Sequence, residues 1–426
     1  MGWARQSARA KEFLAAPAGI CVAWLCWATL VVTIGVLIIV GSDHTVLPAY
    51  RDAAVAWFAG GDIYNATGHG FLYLPSAAIL FAPFAALPVP VSEIAWRVLT
   101  IGMFAWSVRR LATFAGRGLS FDLFALMTLA ALPPALSCAR NGQSTLIMTA
   151  TMILGLVDLG EGRRWRAAGW LSLSLALKPL ALVLILLLAA LDRRMAGRLL
   201  VGVAAVLLFP FATQTAPYVA DQYVKSVQMF RASSHCGMVE LWAQPFSVLS
   251  LAGIVVPESV QTLVRAAAGP VTLLLCAAAK RRRDFRDFVP YLLAFSVLYI
   301  LLFNPRTENN TYAMLGPAIG LFAAPWIAKD VHRAAVWYLS LILLLLSAGD
   351  ELVRVATPPG EHIWLKPSLA LLFLLFLIHR LFGATRAAAE PASGRSALEA
   401  RPRPVLAAAG RRVAGAAGDG QGSFNS

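Results

Sequence analysis

The sequence predicts an all-α, polytopic membrane bundle of about 12 spans, and three observations carry that expectation. Hydrophobic residues make up 59% of the 426 and charged residues only 14%, with a mean hydropathy of +0.69, a balance that excludes an ordinary soluble domain. Long apolar runs recur along the chain, separated by short polar turns. The arginines cluster in those turns, the pattern that sets orientation in a membrane. The net charge of +14 therefore belongs to topology, and nucleic acid is excluded as a partner.

The first span runs from Ala18 to Val40 behind a basic lead of Arg5, Arg9 and Lys11. No small-residue cleavage pattern precedes Gly41, so an uncleaved anchor is expected. The stretch from Gly41 to Pro88 follows, and the rest of the chain is organised around it. Pro48 suits a first helical turn and Gly60-Gly61 suits a stop. Between them Tyr50, Ala53, Ala54 and Trp57 share one face, with Arg51 and Asp52 on the other. Pro75 to Leu87 is apolar but only about half the roughly 20 residues a span needs. Both segments are expected to lie along the membrane surface, packed against lipid.

Val91 to Ala112 makes the second span, Asp122 to Cys138 the third and Ser144 to Leu159 the fourth. Arg166 to Leu191 is apolar but broken at Lys178-Pro179, because proline removes a donor and disfavours helix in the residue before it. Leu199 to Ala212 precedes a long loop from Thr213 to Gln244. Further spans are expected at Val260 to Ala279, Phe288 to Phe303, Tyr312 to Ala328, Ala334 to Ser347 and Leu365 to Phe382. From residue 383 the chain turns to Ala, Gly, Arg and Pro without periodicity. The expected organisation is one membrane domain over residues 1–382 and a disordered, basic, cytoplasmic tail over 383–426.

The basic turns at Arg109, Arg163, Arg193, Lys280 and Lys329 can share the cytoplasmic side only if Pro75 to Leu87 does not cross. Asp43, Asp52, Asp62, the Asn141-Gly142-Gln143 turn, Lys178 and Asn304 to Asn310 then fall on the outer side. Polar groups near membrane depth are costly and line functional cavities, so these segments are expected to meet in one. Each also has a plain structural alternative. Asp43 suits a cap on the first span and Asp52 the solvated face of the surface helix. Lys178 suits snorkelling, Arg306 and Glu308 suit a mutual ion pair, and Asn141 and Gln143 suit helix caps. No Asp-x-Asp occurs and the six histidines are scattered, so no metal is expected. No P-loop or strand-linked glycine motif is present, and no cofactor is expected.

Five stretches, in order, carry a resemblance: YRDAAVAWFAGGDIYN, FLYLPSAAILFAPFAALP, NGQSTLIMTATMILGL, AAGWLSLSLALKPLALVLILLL and NPRTENNTYAMLGP. The set resembles the bacterial glycosyltransferase family 87 over roughly Gly41 to Pro325. Those are GT-C-type membrane enzymes, among them polyprenol-phosphate-mannose-dependent α-mannosyltransferases of the actinobacterial envelope. The resemblance implies a GT-C-type bundle in the bacterial inner membrane, with surface helices in the first outer loop and a cavity open to the periplasm. It implies transfer of a hexose, mannose first, from a polyprenyl-phosphate sugar to an envelope glycan or glycolipid, with inversion. A first-loop aspartate is expected as base. Family members usually carry it a few residues before the tyrosine that opens the surface helix. Here Val46 to Ala49 stand at that place, and Asp43 and Asp52 flank Tyr50. A basic side chain stabilises charge on the departing phosphate. Substrate contacts are expected from Tyr50, Tyr64, Tyr73, Asn141, Gln143, Lys178, Asn304, Arg306, Glu308 and Asn309. A flippase or carrier of lipid-linked glycans, or a ligase, is the alternative.

Overall fold

The computed structural model describes residues 17–41, 44–64, 70–234, 242–358 and 361–387, and among them there is no strand. In chain order the helices are α1 (Pro17–Ile39), α2 (Leu47–Phe58), α3 (Pro75–Ala85), α4 (Val89–Ala115), α5 (Phe124–Asn141), α6 (Thr145–Gly160), α7 (Arg164–Leu177), α8 (Leu182–Leu191) and α9 (Arg193–Leu208). They continue as α10 (Ala216–Ser234), α11 (Pro245–Leu251), α12 (Glu258–Arg282), α13 (Phe285–Phe303), α14 (Leu315–Lys329), α15 (Arg333–Leu344), α16 (Asp350–Ala356) and α17 (Leu365–Ala387). One unit reaches Leu381, and the end of α17 opens a second from Phe382. The tail expected from residue 383 lies outside the described residues from Ala388 onward.

Among the described residues, seven segments are long and apolar enough to cross a bilayer, so the chain is an all-α, multi-pass membrane protein. The expected count of about 12 is not reached on length and apolarity alone. Helix α6 has only 16 residues, and α4, with 27, carries Glu93, Arg97, Arg109 and Arg110.

Helix α6 sits at the centre, buried from Thr145 to Leu159 between α4 and α7. A helix apolar on every side belongs inside a bundle. Lipid tails are as apolar as leucine, so such helices are held by close packing. Gly316 and Gly320, a small-xxx-small pair on α14, provide it against α5. A Cβ on Gly316 would lie 2.5 Å from the Ala130 carbonyl oxygen and 3.0 Å from the Ala131 Cα.

The first outer loop folds as a separate apolar cluster. On α2 the expected face of Tyr50, Ala53, Ala54 and Trp57 is buried, but it meets Ala77, Ala78 and Phe81 of α3 and Trp96 of α4 instead of lipid. Tyr50 stacks on Phe81 with ring centroids 4.3 Å apart. Helix α3 has 11 residues, about 16 Å of helix, too short to span. Arg51 does not serve Asp52; its guanidinium donates to the carbonyls of Phe84 and Leu87 at 2.7 and 2.8 Å, tying α2 to the end of α3.

The long loop expected from Thr213 to Gln244 is instead largely helical, as α10. Its buried positions Val219, Gln222 and Ser226 fall at helical spacing. Polar residues in that stripe mask the pattern in the sequence, because they face backbone. Gln222 accepts from the Ile63 amide at 3.2 Å, Tyr218 donates to the Gly61 carbonyl at 2.7 Å, and Lys225 pairs with Asp62 at 3.0 Å.

Candidate active site

The polar segments expected on the outer side do converge. A cavity of about 690 Å³ is lined by Tyr50 and Asp52 of α2, Tyr73, Gln143, Lys178, Asn304, Arg306 and Glu308. The turns after α5, α7 and α13 supply the last five of these residues, while the arginine-rich turns cap the opposite ends of α4, α6, α13 and α14.

The α5–α6 turn owes its shape to Gly142, which ends α5 in the left-handed conformation at φ 64°. A Cβ there would lie 2.3 Å from Arg97 Nη1, so any larger residue would have to adopt this φ and also displace the Arg97 guanidinium. Trp96 donates to the Gly142 carbonyl at 2.6 Å and Arg97 to the Arg140 carbonyl at 3.0 Å. Arg97 is itself buried in an ion pair with Glu93, and Glu93 accepts from Thr45 at 2.9 Å. One buried pair on α4 thus fixes both the start of α2 and the turn that presents Gln143.

Gln143 Nε2 donates to Glu308, while its buried Oε1 has no partner among the described residues. Buried acceptors are nearly always satisfied, so this oxygen is an open acceptor in the cavity lining. Glu308 and Arg306 do not pair with each other; Arg306 stands over the Trp242 ring, 4.5 Å from its centroid. Lys178 occupies the break between α7 and the Pro179–Ala181 turn, in extended backbone. Its ammonium donates to Thr145 Oγ1 at 2.8 Å, leaving two further donors. Asp52 is exposed and has no hydrogen bond or ion pair among the described residues.

Tyr50 and Tyr73 form a hydroxyl pair at 2.8 Å, and Tyr73 also accepts from Ser144 Oγ at 3.1 Å. Burial pushes the Tyr50 phenol up to about 12 and raises Tyr73 well above the usual range. Both stay neutral at physiological pH and act as hydrogen-bonding groups, not bases.

Three expected contacts lie outside the cavity lining. Tyr64 donates to the Tyr73 carbonyl at 2.8 Å, and the Asn141 carbonyl accepts from Val46 at 3.0 Å. Asn309 donates to Asp350 at 3.2 Å. These residues brace the site from behind. Asp43 lies outside the described residues. Sequence reasoning missed the apolar wall formed by Leu182, Val183 and Leu186 on α8 and Phe230 on α10. Leu182 and Leu186 are also exposed, at 39% and 59%, so this wall continues onto the outer surface of the bundle. The Lys178-Pro179 break was the available signal, because it places the first turn of α8 beside Lys178. Among the described residues no three His, Cys, Asp or Glu side chains converge as metal ligands.

The helical membrane bundle holds a cavity that is cationic and acidic at one face and apolar at the other, the setting of a membrane-embedded active site. Residues 71–305 match glycosyltransferase family 87, and the chain belongs to that family; it is a membrane glycosyltransferase. It is also 26% identical over 334 residues, 71% of this chain and 76% of the relative, to a polyprenol-phosphate-mannose-dependent alpha-(1-2)-phosphatidylinositol mannoside mannosyltransferase of Mycobacterium tuberculosis. The family match takes in Tyr73, Gln143, Lys178 and Asn304 and stops just short of Arg306 and Glu308.

Proposed function

We propose that this cavity transfers a hexose, mannose in the first instance, from a polyprenyl-phosphate sugar to a glycan or glycolipid acceptor of the envelope, on the periplasmic side of the inner membrane. The observation that carries the reading is the composition of one cavity. Two cations, two carboxylates and a buried unpaired amide oxygen lie opposite an apolar wall that runs out to the lipid-facing surface. The relative's dependence on polyprenol-phosphate-mannose supports a lipid-linked donor.

In this reading the polyprenyl chain lies along Leu182, Val183 and Leu186, and its phosphate meets Lys178 and Arg306. Gln143 and Glu308 take sugar hydroxyls, oriented by the hydrogen bond between them. Asp52, with both carboxylate oxygens free of partners among the described residues, removes the acceptor hydroxyl's proton as that oxygen attacks the anomeric carbon. The bond from that carbon to the phosphate oxygen breaks with inversion, and polyprenyl phosphate leaves with the electron pair, stabilised by the two cations. Asp43 is the other first-loop carboxylate to be tested as base.

Incubating the purified protein with a panel of polyprenyl-phosphate hexoses and a glycolipid acceptor, then measuring released polyprenyl phosphate, tests this directly. Release with the mannosyl donor is expected. Movement of lipid-linked sugar across a vesicle without any release would instead make the protein a carrier.

A further inference from the structure

At the end of the bundle opposite the cavity lies a second crevice, of about 350 Å³. Helix α13 separates the two: it begins beside the crevice at Phe285 and ends at Phe303, next to Asn304. Its 19 residues make about 28 Å of helix. Arg283, Arg286, Lys329 and Arg380 line the crevice, with Tyr291 and Trp326 among its walls.

The positive-inside tendency accounts for arginines at one end of a bundle. It does not account for four cations from three separate segments turned to one crevice without carboxylate partners. A fifth cation of the lining, Arg117, behaves differently: it pairs with Glu161, which with Asp158 also serves Arg110 and Arg163. Arg283, Arg286, Lys329 and Arg380 form no ion pair among the described residues. Arg283 donates to the Arg380 carbonyl at 3.3 Å and Arg286 to the Phe114 carbonyl at 3.1 Å. Arg283 lies over Tyr291, and Arg380 over Trp326 at 4.9 Å. These contacts hold the guanidinium groups in place and leave their charge uncompensated. The buried Nε of Arg283 has no hydrogen-bond partner among the described residues. Two carboxylates also line the crevice, Asp284 and Asp287, and Asp284 is committed to capping α13 through the Asp287 amide at 2.9 Å. The cations remain in excess.

We propose that this crevice binds the phosphate headgroup of an anionic membrane lipid. A fixed cluster of guanidinium groups suits phosphate oxygens. Leu321, Phe322 and Trp326 supply an apolar wall for the first carbons of an acyl chain, and a tryptophan at a helix end marks the headgroup level. The apolar wall favours a lipid over free phosphate.

The test uses the full chain, purified in a neutral detergent, with phosphatidylglycerol, phosphatidylcholine or inorganic phosphate added. Lipid retention is read by native mass spectrometry and stability by thermal unfolding. Phosphatidylglycerol should be retained and should raise the unfolding temperature, while phosphatidylcholine should do neither. Lys329→Gln removes a charge without breaking any side-chain hydrogen bond or ion pair among the described residues, and Arg283→Gln removes a fixed one. Each should weaken phosphatidylglycerol binding about fivefold, the effect of one cation near an anionic headgroup. Equal retention of both lipids, full binding by both variants, or the same stabilisation from inorganic phosphate alone would overturn the assignment.

Discussion

Lys366 Nζ lies 2.9 Å from Asp350 Oδ2, and the two side chains are only 8% and 6% exposed. The pair joins α16 to α17, and it also grips the segment that carries Arg306 and Glu308. Lys366 donates to the Asn309 carbonyl at 3.2 Å, and Asn309 Nδ2 donates back to Asp350. A charge buried without its partner costs about 3–5 kcal/mol. Asp350→Asn or Lys366→Met alone should therefore lower the unfolding temperature in detergent sharply. The double variant Asp350→Leu/Lys366→Met should recover much of the loss. A double variant as unstable as the sum of the singles would mean the pair is not the unit.

Asp52 is predicted to be the base. Asp52→Asn should slow turnover by about 10²–10⁴-fold while expression and donor binding stay intact, since the side chain makes no hydrogen bond or ion pair among the described residues. Asp43→Asn, assayed alongside, separates the two first-loop carboxylates. Near-normal rates in both variants would remove the base from this loop and leave Glu308 as the candidate.

Lys178 and Arg306 are predicted to hold the donor phosphate. Lys178→Gln and Arg306→Gln should each raise the donor concentration needed for half-maximal rate by about tenfold or more, the cost of one charge-assisted hydrogen bond. Lys178→Arg should rescue only in part. Thr145 Oγ1 fixes a compact ammonium at 2.8 Å, and a planar fork presents its donors elsewhere. A donor titration unchanged in both neutral variants would return these cations to a structural role.

The topology of α3 gives a further test. In a background free of other accessible thiols, Ala85→Cys should react with a membrane-impermeant reagent from the outer side or stay shielded. Ser76→Cys should be shielded throughout, because Ser76 is fully buried. Labelling of Ala85→Cys from the cytoplasmic side alone would make α3 part of a crossing and invert every later loop.

What depends on local spacing and composition could be read directly from the residues. Apolar runs gave the all-α membrane class, helical periodicity assigned Tyr50, Ala53, Ala54 and Trp57 to one buried face, and proline chemistry located the break at Lys178. Tertiary structure alone decided which polar groups meet. Gln143 and Glu308 are 165 residues apart, and no local pattern encodes their contact. Arg51 reads in sequence as the neighbour of Asp52, yet the free carbonyls at the end of α3 claim it, because unsatisfied backbone acceptors are strong partners. Tyr64 and Asn309 share the residue types of the site but spend their donors on the Tyr73 carbonyl and Asp350. Helix α10 was hidden for a similar reason: its buried stripe is polar because it faces the backbone of the first outer loop. Periodicity reports that a face is buried only when what it meets is apolar.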